Sequence, residues 1–280
     1  ILAASSLSCI GSKTWPPYDL IMISLSSSRL ILQSWTALDL LIYIFSECSN
    51  CEEYIFGVSN TVYMFLNCSG LWFGAWLSVF YYIKVASFTQ SFFIWMKQRI
   101  AKLVPWMLLT SWLCSFIATI PFAWEAYRVH NFTAPSSMTN SSAMGTNRKD
   151  RFNLLIYLCN ASTGLPLILS VVSSVLLIQS LWKHTRRMQN NASGFRDPSL
   201  EAHISAIMSV CSFLILHIIY FICLLLLLYD VFLPFSDQES ICESLMAACP
   251  SGHTLVLIWS NPKFRELPAR IWQQINFHLR

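Results

Sequence analysis

Residues 71–88, LWFGAWLSVFYYIKVASF, decide the fold: thirteen uncharged and mostly aromatic or apolar residues precede a single lysine, Lys84. A helix this apolar is either buried in a protein core or surrounded by lipid. In lipid, Lys84 would mark one side of the membrane, because a charged side chain is costly inside the hydrocarbon. The rest of the chain distinguishes the two cases.

The composition is that of a membrane protein. The chain has 280 residues, of which 55% are hydrophobic and 11% charged, and its mean hydropathy is +0.52. Soluble domains carry about 25% charged residues, so this chain has too few charges to cover a soluble surface. The net charge of +4 is small, and there is no run rich in lysine and arginine. We therefore do not expect a nucleic-acid partner.

Six windows are long enough and poor enough in charge to cross a bilayer, which takes about 20 helical residues. Period-two alternation is absent, which argues against a lipid-facing barrel. The sequence thus predicts an all-α membrane protein with six crossing helices. The windows are 20–38, with Arg29 as its one charge, and the charge-free 54–83, 103–124, 152–182, 202–229 and 244–262.

The first ten residues, ILAASSLSCI, are apolar but too short to span a bilayer. We expect them to be the last turns of a span whose beginning is absent from this chain, and a short surface segment is the alternative. No basic region precedes them, so a signal peptide is disfavoured. If a span is missing, the parent protein has seven helices and its N-terminus lies outside.

The loops differ in charge between the two sides of the predicted bundle. One side holds 13 basic residues and the other holds 4, together with most of the acids. Because positive charge collects on the cytoplasmic side, the first side is predicted to be cytoplasmic. The outer loop, 125–151, contains the sequons of Asn131 and Asn140, which we expect to carry glycans.

No catalytic or metal motif is recognisable, so neither an enzyme nor a cofactor is predicted. His217, within a span, is expected to be a packed, hydrogen-bonded side chain. Cys48 and Cys51 form one C-x-x-C pair with no second pair, which disfavours zinc. Whether they form a disulfide with Cys242 stays open. Loop 125–151 has no cysteine, so a disulfide from the top of the 54–83 helix to this loop cannot form.

Three polar residues within or at the ends of spans are candidates for function. Arg29 lies in mid-span, where we expect an interhelical lock to backbone carbonyls or to a polar neighbour. Asn67 lies deep in an apolar helix, one turn from Tyr63, and an interhelical hydrogen bond is its ordinary role. Glu243 begins the last span, either as a solvated helix-end acid or as an acid that faces a ligand cavity.

Several long motifs occur in the order and spacing of one receptor family. They are LWFGAWLSVFYYIKVASF, SLSSSRLILQSW, LPLILSVVSSVLLIQSLWKHTRRMQ, DPSLEAHISAIMSVCSFLIL and MAACPSGHTLVLIWSNPKFR. Together they resemble the third, second, fifth, sixth and seventh spans of bitter taste receptors (taste receptor type 2 family). The resemblance covers residues 19–278. ILAAS at the start resembles the inner end of the family's first span.

The resemblance implies a seven-helix G-protein-coupled receptor, with most of the first helix missing from this chain. It implies bitter small molecules as agonists, a gustducin-like G protein as partner, and a multi-pass position in the plasma membrane with a cytoplasmic C-terminus. The implied segments are 1–10 (the end of the first span), 19–39, 54–84, 103–124, 152–182, 199–229, 241–261 and a cytoplasmic tail, 262–280.

The resemblance also implies site residues, carried over by motif. The expected ligand-binding residues are Tyr63, Asn67, Tyr220 and Glu243. The basic inner loops are expected to face the G protein through Lys84, His184, Arg186, Arg187 and His203.

Two alternatives stay open at this point. An odorant or vomeronasal receptor would carry an acidic-Arg-Tyr motif where this chain has YYIKVASF, and an outer-loop disulfide that residues 125–151 exclude. A six-span channel or transporter would show polar pore lines or an internal repeat, and the sequence shows neither.

Overall fold

The computed structural model describes residues 1–3, 5, 6, 9, 15–45, 52–85, 91–132, 141–189, 198–233 and 236–260. These residues contain no strand, and residues 2, 3, 5, 6 and 9 are helical. From residue 17 onward the helices are α1 (Pro17–Phe45), α2 (Glu52–Val85), α3 (Ser91–Gln98), α4 (Ile100–Phe132), α5 (Ser141–Gln189), α6 (Pro198–Leu228) and α7 (Asp237–Ser260).

Five of these helices are long and apolar enough to cross a membrane: α2, α4, α5, α6 and α7. At 29 residues α1 is also long enough, but it contains a run of serines followed by Arg29. Helix length and composition confirm the predicted all-α membrane fold.

The helices extend beyond several of the predicted spans. α4 continues to Phe132 and α5 begins at Ser141, so the predicted outer loop 125–151 is helical at both of its ends. Charge-free windows detect the segment inside hydrocarbon, whereas the hydrogen-bond ladder of a helix continues past the bilayer. The predicted inner loop between α2 and α4 likewise contains the short helix α3, Ser91–Gln98.

α2 lies at the centre of the bundle. In its most apolar window 61% of the residues are buried, against 28–33% for the other four candidate spans. Gly57 allows α2 to approach α4 closely, because a Cβ at this position would lie 2.7 Å from Cβ of Ala126. The Trp76 indole donates a 2.8 Å hydrogen bond to the Ser111 hydroxyl, which also joins α2 to α4.

One apolar cluster joins those halves of α1, α2, α4 and α7 that the sequence predicts to be cytoplasmic. Ile1, in the first described residues, packs against this cluster. The backbone amide of Ser5 donates a 3.0 Å hydrogen bond to the Ile1 carbonyl. The members of the cluster are Ile21, Met22, Leu25, Phe73, Leu77, Phe80, Val104, Leu108 and Leu257.

A second cluster lies towards the other end of the bundle and contains Cys159, Cys223, Cys242 and Cys249 with buried, unbridged thiols. Cys48 and Cys51 lie outside the described residues, so their pairing stays open. Met64, Tyr220, Leu224 and Met246 complete the cluster.

Candidate ligand cavity

A cavity lies between the middles of α1, α2, α6 and α7, with an empty volume of about 450 Å³ that counts the open space at its mouth. Its apolar wall includes Leu32, Leu66, Leu71, Phe213 and Leu216. Its polar lining includes Ser28, Arg29, Asn67, His217, Tyr220 and His253. Mostly apolar walls with a few polar groups are typical of small-molecule sites.

α1 brings Arg29 to one side of this cavity and into contact with α7. Its Nη1 donates to Oγ1 of Thr254 at 2.9 Å, and its Nη2 donates to Nδ1 of His253 at 2.6 Å. The Thr254 hydroxyl in turn donates to the Pro250 carbonyl at 2.9 Å. The Gln33 amide reaches the Ala247 carbonyl at 3.2 Å. Arg29 therefore lies in a polar contact between two helices that are far apart in sequence.

The serines before Arg29 give α1 a face of small side chains, and Ser28 on this face lies beside Gly70 of α2. The hydroxyls of Ser24, Ser27 and Ser28 donate to carbonyls three or four residues earlier in the same helix. Their polar groups are thus satisfied within α1. What remains outside is a surface of small side chains, which permits close helix approach in a membrane.

Phe213 of α6 packs between two histidines on the cavity wall. Its ring centroid lies 5.3 Å from that of His217 and 5.1 Å from that of His253. Gly74 of α2 makes room for it, because a Cβ at position 74 would overlap the Phe213 ring. The position of the Phe213 ring therefore depends on the absence of a side chain on α2.

Asn67 and Tyr220 join α2 to α6 at the same cavity. The Asn67 amide donates to the Tyr220 hydroxyl at 2.7 Å, and both side chains are buried. Tyr63 packs against the cluster that contains Tyr220, and the two tyrosine hydroxyls lie close enough to interact electrostatically. Three of the four predicted ligand-binding residues thus come together, and two of them line the cavity.

Glu243, the fourth, is exposed on α7 and is not among the residues that line the cavity. Its carboxylate is close enough to Tyr63 to interact with it electrostatically. The structure therefore places Glu243 beside the tyrosine end of the site and apart from Arg29.

The residues predicted to face the cytoplasm lie mostly at helix ends. Lys84, at the end of α2, is exposed, and its ammonium lies 5.9 Å from the centroid of the Phe80 ring. The backbones of residues 184, 186 and 187 belong to α5 and that of residue 203 to α6. The side chains of His184, Arg186, Arg187 and His203 lie outside the described set.

The two predicted glycosylation sites are described only in part. Asn131 is in the last turn of α4, but its side chain is not described, and Asn140 lies outside the described residues.

Three residues of the site are not predicted from the sequence: His253, Thr254 and Phe213. The available signal was a histidine in an apolar span, which is uncommon and marks a candidate site. His217 is packed, as predicted, with 2% of its surface exposed. The backbone of Thr163 lies nearby, but within the described residues neither ring nitrogen has a partner of hydrogen-bond geometry. The hydrogen bond expected for His217 is therefore absent among the described residues.

Comparisons with known proteins agree on one family. The model of the taste receptor protein (TAS2R) family matches residues 1–275. Taste receptor type 2 member 40 of Gallus gallus is 57% identical over 277 residues, covering 99% of this chain and 89% of the relative. Taste receptor type 2 member 39 is 34% identical in Papio hamadryas and 33% identical in Homo sapiens, in each case covering 100% of this chain and 81% of the relative.

Proposed function

The chain belongs to the taste receptor type 2 family, and from this premise we propose that it is a bitter taste receptor, a G-protein-coupled receptor activated by bitter small molecules. The family is one of receptors, which are not enzymes. The observation that carries the proposal is the cavity between α1, α2, α6 and α7, which has apolar walls and few polar groups. The family match argues against an odorant receptor and against a channel.

The agonist pocket that we propose opens outward and includes Tyr63, Asn67, Tyr220 and, at its outer end, Glu243. Bitter compounds are often amphipathic, and aromatic and aliphatic walls supply contact area while a few polar groups orient the ligand. An exposed carboxylate at position 243 would attract a cationic amine. The Asn67 side chain can donate to a ligand as well as accept from it.

The proposed partner on the cytoplasmic side is a gustducin-like G protein. The basic inner surface would contact it through Lys84, His184, Arg186, Arg187 and His203. Positive-inside bias alone would produce the same charges, so charge does not distinguish a G-protein surface from an ordinary cytoplasmic one.

We expect the full-length receptor, expressed in cells with a gustducin-type G protein, to respond to members of a panel of bitter compounds. Replacing His184, Arg186 and Arg187 together by alanine should weaken the response at equal surface expression, because it removes cationic contacts on the inner surface. G-protein activation, normalised to surface-labelled receptor, measures the effect. No response to any compound, from receptor present at the surface, would argue against the proposed function. An unchanged response of the triple variant would remove this loop from the G-protein surface.

The proposed position is the plasma membrane, with the N-terminus of the full-length receptor outside and residues 262–280 cytoplasmic. In that orientation Asn131 and Asn140 should both carry glycans. Treating the expressed receptor with an N-glycosidase should therefore increase its electrophoretic mobility. The same treatment should not change the mobility of the Asn131→Gln/Asn140→Gln variant. An intact wild-type protein whose mobility is unaffected would contradict the orientation.

A further inference from the structure

The cavity contains a half-buried cation, Arg29, without a carboxylate partner among the described residues. The Arg29 side chain makes two hydrogen bonds there, to Thr254 and His253, and both partners lack a negative charge. These bonds occupy two of the five N–H donors of a guanidinium. The residues that line the cavity include no aspartate or glutamate. Arg29 therefore gives the cavity lining a net positive charge.

Two buried histidines on the same wall have ring nitrogens without partners. Within the described part of the chain, both ring nitrogens of His217 lack a hydrogen-bond partner, and so does Nε2 of His253. Both side chains are almost fully buried, at 2% and 1% exposure, and both line the cavity. The backbone of Ser209 lies near His253 without meeting hydrogen-bond geometry. Burying a polar group without a hydrogen-bond partner is unfavourable, and a ligand that forms the missing hydrogen bond gains binding free energy.

We infer that Arg29, His217 and His253 form a subsite for the acidic group of an anionic ligand. This inference rests on the proposed function. The group is a carboxylate or sulfonate carried on an apolar body. Its oxygens accept hydrogen bonds, which are strong when donor and acceptor are both charged. The apolar body lies along Leu66, Leu71 and the neighbouring leucines of the cavity. A cationic ligand would be repelled by Arg29 at this depth.

The subsite predicts a preference that can be measured without a G protein. In chloride-free buffer at neutral pH, the detergent-purified full-length receptor is heated with increasing 2-naphthoate or with 2-naphthamide, which has the same apolar body and no charge. A ligand that binds the folded state raises the midpoint of unfolding. We expect the dissociation constant to be about ten- to a hundredfold lower for naphthoate, the usual effect of a hydrogen bond to a charged group.

The variants identify the residue responsible. Arg29→Gln should remove the preference for naphthoate, whereas Arg99→Gln, which removes the same charge from an exposed position on another part of the chain, should keep it. If Arg29→Gln does not fold, His217→Phe decides: it removes the unpartnered ring nitrogens, and the preference should become smaller.

Three outcomes would overturn the inference: equal dissociation constants in the wild type, a preference that survives Arg29→Gln, and a preference that His217→Phe leaves unchanged when Arg29→Gln does not fold. Sodium chloride tests the other source of an anion. If chloride alone stabilises the receptor and naphthoate does not, the subsite holds an inorganic ion and the ligand claim is wrong. Failure of the proposed function would appear instead as absent G-protein activation, which this measurement does not use.

Discussion

A Gly74→Ala receptor is expected to be less stable than the wild type by about 1–3 kcal/mol, the usual cost of overpacking a filled core. The added methyl group would overlap the Phe213 ring. That ring cannot easily move aside, because it is buried and packs against both His217 and His253. Thermal unfolding of the purified receptor in detergent measures the effect.

Gly70→Ala is the matched control, one turn away on the same helix. A Cβ at Gly70 would lie 3.6 Å from Oγ of Ser28, an ordinary contact, so this variant should be as stable as the wild type or slightly more stable. Adding Phe213→Leu to Gly74→Ala should restore part of the lost stability, because contacting sites do not act additively. Equal stability of the two single alanine variants would show that Phe213 is not confined as the structure has it.

An Asn67→Leu receptor is expected to require about a tenfold higher concentration of a bitter agonist for half-maximal activation, the equivalent of one neutral hydrogen bond. Leucine has a similar size but cannot donate to the Tyr220 hydroxyl or to a ligand. The bond that is lost is short, at 2.7 Å, and buried. Concentration–response curves at equal surface expression provide the measurement.

Tyr220→Phe separates two explanations of that effect, since it removes the same bond while leaving the Asn67 amide free. If Asn67 contacts the agonist directly, Asn67→Leu should weaken activation more than Tyr220→Phe. If Asn67 acts by holding Tyr220, the two variants and their combination should be equally weak. Full potency of the Asn67→Leu receptor would exclude Asn67 from the proposed agonist pocket.

The sequence predicts the membrane helices well because hydrocarbon excludes charge, and charge is visible in the sequence. Residues 54–83 contain none, and the helix that holds them runs from Glu52 to Val85. Helix ends are predicted less well where the chain leaves the membrane. α5 begins at Ser141, well before the predicted window 152–182. The charged residues that end a hydrophobic window do not end a helix.

The candidate site could be predicted only in part. Asn67 and Tyr220 stand out as polar groups in apolar helices and match family motifs, and the structure joins them by a hydrogen bond. The contact of Arg29 with His253 spans 224 residues. No local periodicity specifies which helix lies next to α1. Such a pairing follows from the packing of the whole bundle.

The 2.6 Å contact between Arg29 and His253 also fixes a proton. A guanidinium has no lone pair to offer, so Nδ1 of the imidazole must be the acceptor and the ring hydrogen must reside on Nε2. His253 is thereby held as one tautomer for as long as α1 and α7 touch. The nitrogen-15 resonances of the ring distinguish a protonated from an unprotonated nitrogen, so one labelled histidine would report whether these helices remain together.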